Sequence, residues 1–235
     1  MAIDTVIVDI EGTVCPITFV KDTLFPYFIK KLPSYLENIQ FPLNSSSSDP
    51  IVEILLKLPN EIRVNSQSTF NHFKSLVDQD IKDPILKSLQ GLIWNQGYKN
   101  GELKAPIYPD SIKFIQDYKN KIYVYSSGSV NAQKLLFGYV EDNGNSIDLN
   151  KYLSGYFDIT TSGYKNQPQS YKNILKDINK DGSSVLFLSD NINEVKAAIE
   201  AGMNCHIVIR DGNAPISNED KSNYQVIYAL SELNI

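Results

Sequence analysis

TVIVDIEGT, residues 5–13, is a run of mostly β-branched residues that ends in Asp9 and Glu11 and then breaks at Gly12-Thr13. A short unbroken apolar run closed by an acid and a glycine reads as a buried strand entering a turn. Four more runs share its character: KIYVYS (121–126), YFDITT (156–161), SVLFLSD (184–190) and CHIVIR (205–210). Helical patterns over 110–120, 132–139, 170–179 and 193–202 separate them. Strands alternating with helices predict an α/β fold, a doubly wound parallel sheet with helices on both faces.

Between the first strand and the second this alternation fails. Leu24, Phe25, Phe28, Ile29, Leu32, Tyr35 and Leu36 recur at helical spacing, and so do Phe70, Phe73, Leu76 and Val77, then Ile85, Leu86, Leu89, Leu92 and Ile93. The pattern predicts an all-helical cap, residues 15–105, inserted after the first strand into a core domain built from 1–14 and 106–235. The serine-rich tract at 44–50 is expected to be a surface loop of that cap, and 104–109, with two prolines, the return linker.

Composition narrows the function classes. A chain of 235 residues, 42% hydrophobic and 11% aromatic, can bury a sizeable core. Its net charge of −5 comes from 27 acids and 22 bases spread along the chain, with no basic block, so nucleic acid is not an expected partner. No apolar stretch reaches bilayer-spanning length, and a strand-like segment stands where a secretory signal would sit, which predicts an intracellular, cytoplasmic protein without membrane association. Cys15 and Cys205 are far apart and strand-flanked, so both read as reduced structural thiols. No exposed apolar stripe stands out, and a monomer is expected.

In an open parallel sheet, ligands collect outside the carboxyl ends of the strands. The first strand delivers Asp9 and Glu11 there, the second Ser126, Ser127 and Gly128, the third leads to Lys165, and the fourth delivers Asp190 with Glu194 after it. Acids from two strands suit a hard cation bound through oxygen, and Mg2+ fits a site that keeps room for water and a phosphate oxygen. A Ser-Ser-Gly turn opening a helix offers hydroxyls and free N–H groups to a phosphoryl oxygen, and Lys165 adds a cationic contact. Singly, each piece is ordinary: an acidic turn, a loop, a solvated lysine, a helix-capping aspartate. Together and in this order they point to phosphate chemistry.

That order resembles the haloacid dehalogenase superfamily of phosphatases. Within it DIEGT followed by PITFVKDTLFPY, then LQGLIWNQGY, YSSGSVNAQKLLFG, FLSDNINEVKAAIEAG and VIRDGNAP, is similar to the enolase-phosphatase (acireductone synthase) family over nearly the whole chain. Two departures stand out: Cys15, and Asn-Gln-Pro-Gln at 166–169 where acidic residues would be expected.

The resemblance implies that Asp9 is the nucleophile forming an aspartyl-phosphate, and that Glu11 is the acid and then the base. It implies one Mg2+ held by Asp9, the main-chain carbonyl of Glu11 and Asp190, with Ser126, Ser127 and Lys165 positioning the phosphate. The substrate it implies is 2,3-diketo-5-methylthiopentyl-1-phosphate, enolised and then dephosphorylated in methionine salvage, in the cytoplasm or also the nucleus. Glu11 and Lys104 are the candidates for the enolisation base, and Gln90, Trp94 and Tyr98 for lining the methylthio pocket. The competing readings are a phosphatase or phosphomutase of the same superfamily for another small phosphate ester, and an inactive binding module. Glu11 in place of a second aspartate argues against the first, because it moves the acid by about one CH2. The complete set of acids, hydroxyls and lysine argues against the second.

Overall fold

The computed structural model describes residues 2–235. Its strands are β1 (Thr5–Val8), β2 (Lys121–Tyr125), β3 (Val140–Asp142), β4 (Asn145–Ile147), β5 (Gly155–Phe157), β6 (Val185–Ser189), β7 (Asn204–Val208) and β8 (Gln225–Ile227). Six of them form one parallel sheet in the order β5-β2-β1-β6-β7-β8, while β3 and β4 make a separate antiparallel hairpin. Val6, Ile7 and Val8 of the central strand are fully buried, as helix cover on both faces requires.

The chain runs from β1 out to β5 on one side, then returns to β6 on the other side of β1 and continues to β8. The reversal falls at β1, and β1, β2 and β6 are in register, with Val8 opposite both Val124 and Leu188. A sheet of this topology opens a crevice beyond the carboxyl ends of those three strands.

Two compact units divide the chain, one running to Phe19 and resuming at Lys104, the other spanning Val20–Leu103. In the second unit a short π-helical turn (Val20–Leu24) leads into α1 (Phe25–Glu37), followed by α2 (Pro50–Leu55), α3 (Ser66–Asp78) and α4 (Pro84–Lys99). Phe28, Leu32, Leu36, Leu55, Phe73, Leu86, Leu89 and Ile93 share its core. Asp49, Asn65 and Asp83 accept hydrogen bonds from the first backbone amides of α2, α3 and α4, at 2.8 Å in each case, and so fix where those helices begin.

In the first unit α5 (Pro109–Asp117), α6 (Val130–Gly138), α7 (Pro168–Asp177), α8 (Ile192–Glu200) and α9 (Asn218–Asn223) accompany the sheet. Residues 15–19 stay with this unit. The Cys15 amide donates to the Ile10 carbonyl at 3.0 Å, and the Tyr108 amide donates to Val14 at 2.9 Å. Around Ala105 the return segment is stitched to the hairpin by bonds with Tyr139 and Glu141.

Three sequence expectations shift. The strand expected over 156–161 stops at Phe157, because Asp158 folds the chain back: its Oδ1 accepts the amides of Thr160 and Thr161 at 2.9 and 2.8 Å. The tract expected as loop over 44–50 gives up Pro50 to α2, where proline suits the first helical turn. Strands β3, β4 and β8 are each three residues long, too short for a period to register. Among the described residues no helix is long and apolar enough to cross a membrane. Cys15 and Cys205 are free and buried, and burial pushes both thiols well above their ordinary range, where they are inert.

Candidate active site

Asp9 is the first residue beyond β1, and its amide continues the ladder by donating to the Leu188 carbonyl at 2.9 Å. The chain then turns sharply: the amides of Thr13, Val14 and Cys15 all converge on the Ile10 carbonyl at 3.0–3.2 Å. Gly12 has φ +74°, and a Cβ there would overlap the Asp190 carboxylate, so the position needs glycine for its backbone angle and for its close approach. The turn's own Thr13 and two side chains from distant elements tie it down. The Thr13 hydroxyl accepts from the Asp190 amide at 3.1 Å, Arg210 Nε donates to the Thr13 carbonyl at 3.0 Å, and Asn213 Nδ2 donates to the Gly12 carbonyl at 2.8 Å. Arg210 is itself fixed by a two-pronged pair with Asp110 at 2.8 and 3.2 Å.

Beyond β2, Ser126 is buried and its hydroxyl accepts from the Gly128 amide at 3.3 Å, while Ser127 is exposed at the tip of the turn. Ser129 caps α6, and Asp158 Oδ2 takes the Val130 amide at 3.0 Å, so the start of that helix is held from two sides. Glu11 is half-buried in the turn after β1.

Lys165 carries the tightest contacts of the site. Its ammonium lies 2.5 Å from Asp9 Oδ1 and 2.7 Å from Glu194 Oε2, with only 8% of its side chain exposed. The Tyr171 hydroxyl donates to its carbonyl at 2.7 Å, and its Nζ sits 5.7 Å from the centre of the Tyr125 ring. Ser189 donates to Glu194 Oε2 at 2.8 Å. Asp9, Asp190, Glu194 and Lys165 therefore share one electrostatic neighbourhood, three carboxylates to one ammonium.

The charge imbalance shows in the protonation equilibria. Burial pushes the Asp190 carboxyl up to about 7, with the Asp9 and Glu194 charges adding to it and Lys165 only partly offsetting them. Glu194 is raised first by burial and then by Asp9, against the pull of Lys165 and Ser189. For Lys165 burial alone would disfavour the ammonium, but Asp9 and Glu194 outweigh it and raise its pKa, so it stays charged at neutral pH. A partly buried site with surplus carboxylate oxygens suits a hard divalent cation. No group of three or more His, Cys, Asp or Glu side chains that could hold a metal occurs among the described residues. The expected set asks for only two side chains and a main-chain carbonyl, and the buried Asp9 and half-buried, charge-crowded Asp190 are chemically fit for it.

An expected result follows for Asp190→Asn in chelator-treated protein. A carboxyl whose pKa is raised in the fold costs stability once ionised, so the variant should gain on the wild type as pH rises from about 4 to 7. The gain should reach on the order of 2 kcal/mol, or roughly 4–8 °C in Tm. Thermal melts across that range check it, and a variant that melts no higher than wild type at pH 8 would contradict the charge crowding.

Several functional contacts had no role assigned from sequence. Glu194 stands four residues after Asp190, in the first turn of α8, and no local pattern signals its grip on Lys165. Of the candidates for other roles, Lys104 is committed to the β3–β4 hairpin, its ammonium 2.7 Å from the Gly144 carbonyl and 3.1 Å from Glu141. Gln90, Trp94 and Tyr98 are all buried in the helical unit, and the Trp94 indole N–H is used by the Leu24 carbonyl at 3.0 Å.

The family model for haloacid dehalogenase-like hydrolases matches residues 3–202. Enolase-phosphatase E1 of Candida tropicalis is 65% identical over the full length of both chains, and that of Scheffersomyces stipitis 59% identical over 99% of this chain and all of its own. The crystal structure of the UTR4 protein of Saccharomyces cerevisiae superposes with a TM-score of 0.86 at 47% identity, covering 98% of this chain and all of that one. CbbY of Rhodobacter sphaeroides, solved with phosphate, shares the fold at a TM-score of 0.60 and 14% identity, with 99% and 96% covered.

Proposed function

The chain belongs to the haloacid dehalogenase-like hydrolases and, within them, to the enolase-phosphatases; from that premise we propose that it converts 2,3-diketo-5-methylthiopentyl-1-phosphate to the acireductone and phosphate, in methionine salvage, with Asp9 as nucleophile. It is a phosphatase. The observation that carries the assignment of Asp9 is the 2.5 Å contact between its Oδ1 and the buried Lys165 ammonium. That contact aims the aspartate and supplies positive charge where a phosphoryl group would gather it.

In the first half-reaction a base takes the proton from the carbon beside a carbonyl and holds it, giving the enolate. With Lys104 bound into the hairpin, Glu11 is the candidate of the two that is left for this role. Asp9 then forms a bond to phosphorus as the bond to the substrate oxygen breaks, and Glu11 donates its proton to that oxygen. Water next attacks phosphorus, Glu11 takes the water proton, and the bond between phosphorus and the Asp9 oxygen breaks, releasing phosphate; Glu11 then passes its proton to the enolate oxygen, which restores both carboxylates. Ser126, Ser127 and Lys165 hold the phosphoryl oxygens throughout. Asp9, the Glu11 carbonyl and Asp190 would hold Mg2+, which when bound supplies positive charge to the same oxygens. Glu194 acts through Lys165, fixing the ammonium against Asp9. The protein works as a cytoplasmic, or cytoplasmic and nuclear, monomer on a small phosphorylated substrate.

Incubation with the diketone phosphate should yield the ultraviolet absorbance of the acireductone together with stoichiometric phosphate, and chelator should stop both. Phosphate release from sugar phosphates with none from the diketone would remove the substrate assignment.

A further inference from the structure

Asn213 sits in the loop after β7, where its side-chain amide has two ends with different fates. The nitrogen is committed: Nδ2 donates to the Gly12 carbonyl at 2.8 Å and to the Val208 carbonyl at 3.3 Å. Two carbonyl acceptors on that side fix the amide orientation, because a flipped group would set its oxygen against both of them. The oxygen that results is buried and has no hydrogen-bond partner among the described residues. A buried acceptor left without a donor is destabilising, so its position calls for an explanation.

The surroundings supply one. Asn213 Oδ1 and the Asp190 carboxylate both lie within 3.0 Å of the point where a Cβ on Gly12 would stand, and therefore within twice that distance of each other. Two acceptors that close, one of them without a donor from the chain, suit a group that donates in two directions, as a single water does. Water bound to a divalent cation donates more strongly than free water and is oriented by the metal.

We infer that Asn213 is an outer-sphere positioning residue of the cation site: its Oδ1 accepts a hydrogen bond from a water ligand of the ion held by Asp190, while its Nδ2 anchors the Glu11–Gly12 turn. The inference rests on the assignment of Asp9, the Glu11 carbonyl and Asp190 as the cation site. It extends that site to a loop some 200 residues away in sequence. One side chain thereby couples the geometry of the main-chain ligand to that of the water.

Two substitutions separate the two ends of the amide. Asn213→Ala removes both acceptor and donor. Asn213→Asp keeps an acceptor of the same reach and loses the donor to the Gly12 carbonyl. Each is compared with wild type by calorimetric titration of chelator-treated protein with Mg2+, and by the rise in Tm that Mg2+ produces, referred to each variant's own metal-free Tm. The expected result is Mg2+ binding about 10–100-fold weaker in Asn213→Ala, and restored to within a few-fold of wild type in Asn213→Asp. Equal weakening in both variants would mean that only the tether to Gly12 matters, and unchanged affinity in both would mean that neither end does; either result overturns the inference. If wild-type protein itself fails to bind Mg2+, the cation site falls and this inference falls with it.

Discussion

Asp9→Asn is expected to reduce phosphate release by at least about 10^4-fold while leaving the protein folded. The side chains are nearly the same shape, so the turn from Ile10 to Cys15 should survive, held by backbone bonds and by Thr13, Arg210 and Asn213. Lys165 keeps its second carboxylate, Glu194, at 2.7 Å. Losing one ion pair is offset by relief of Asp190 and Glu194, both of which the Asp9 charge pushes up. Stability should therefore stay within about 1–2 kcal/mol of wild type. The amide, by contrast, cannot attack phosphorus at neutral pH and has no anionic oxygen to carry the transferred group. Acid quenching during turnover should trap a phosphoryl group on the Asp9 peptide of wild type and none on the variant. A variant that keeps measurable turnover, or a wild-type intermediate on another residue, would remove Asp9 from its role.

How this site could be foreseen depends on how far apart along the chain its parts act. Asp9, Ser126 and Asp190 each stand directly after a β-branched or apolar run, so the strand pattern alone brought them to one end of one sheet, and the parallel order of β2, β1 and β6 does the same in three dimensions. Gly12 was legible as a turn residue, but not as the place where a Cβ would strike Asp190, because that needs the register of β1 against β6. Arg210 and Asn213 lie in VIRDGNAP, a stretch whose composition signals no contact. Their work is to reach back to the carbonyls of Thr13 and Gly12, and no local period encodes a bond between residues so distant in sequence. The end of β5 differs from the sequence expectation for the opposite reason. YFDITT has strand composition throughout, but one aspartate side chain captures the next two free amides and outcompetes the ladder. Propensity decided the long helices of the Val20–Leu103 unit, and side-chain bonds decided the exceptions.

Lys165→Met should be the most damaging single change in the first unit, through both activity and stability. The ammonium offsets the crowding of Asp190 and Glu194, and it contacts Asp9 and Glu194 directly with 8% of its side chain exposed. Removing one partner of a buried ion pair costs about 3–5 kcal/mol, and here two carboxylates lose their partner together, so a fall in Tm of roughly 10 °C or more is expected at pH 8. The sign of the pH dependence follows from the direction of the shifts. Asp190 and Glu194 already have raised folded pKa values, and without the ammonium they rise further. Stability from their protonated forms is then present at low pH and lost as pH climbs from the unfolded value near 4 through the folded one, so the deficit should be smaller at pH 6 than at pH 8. Phosphate release should fall by on the order of 10^3-fold even where the variant is folded, since the charge facing the transferred group is gone. Adding Asp190→Asn to Lys165→Met should recover part of the lost stability and none of the activity, because it relieves the repulsion without restoring the cation. Urea melts of the single and double variants at both pH values, beside single-turnover rates, test each step. A Lys165→Met protein as stable as wild type at pH 8 would show that the three carboxylates do not depend on this ammonium.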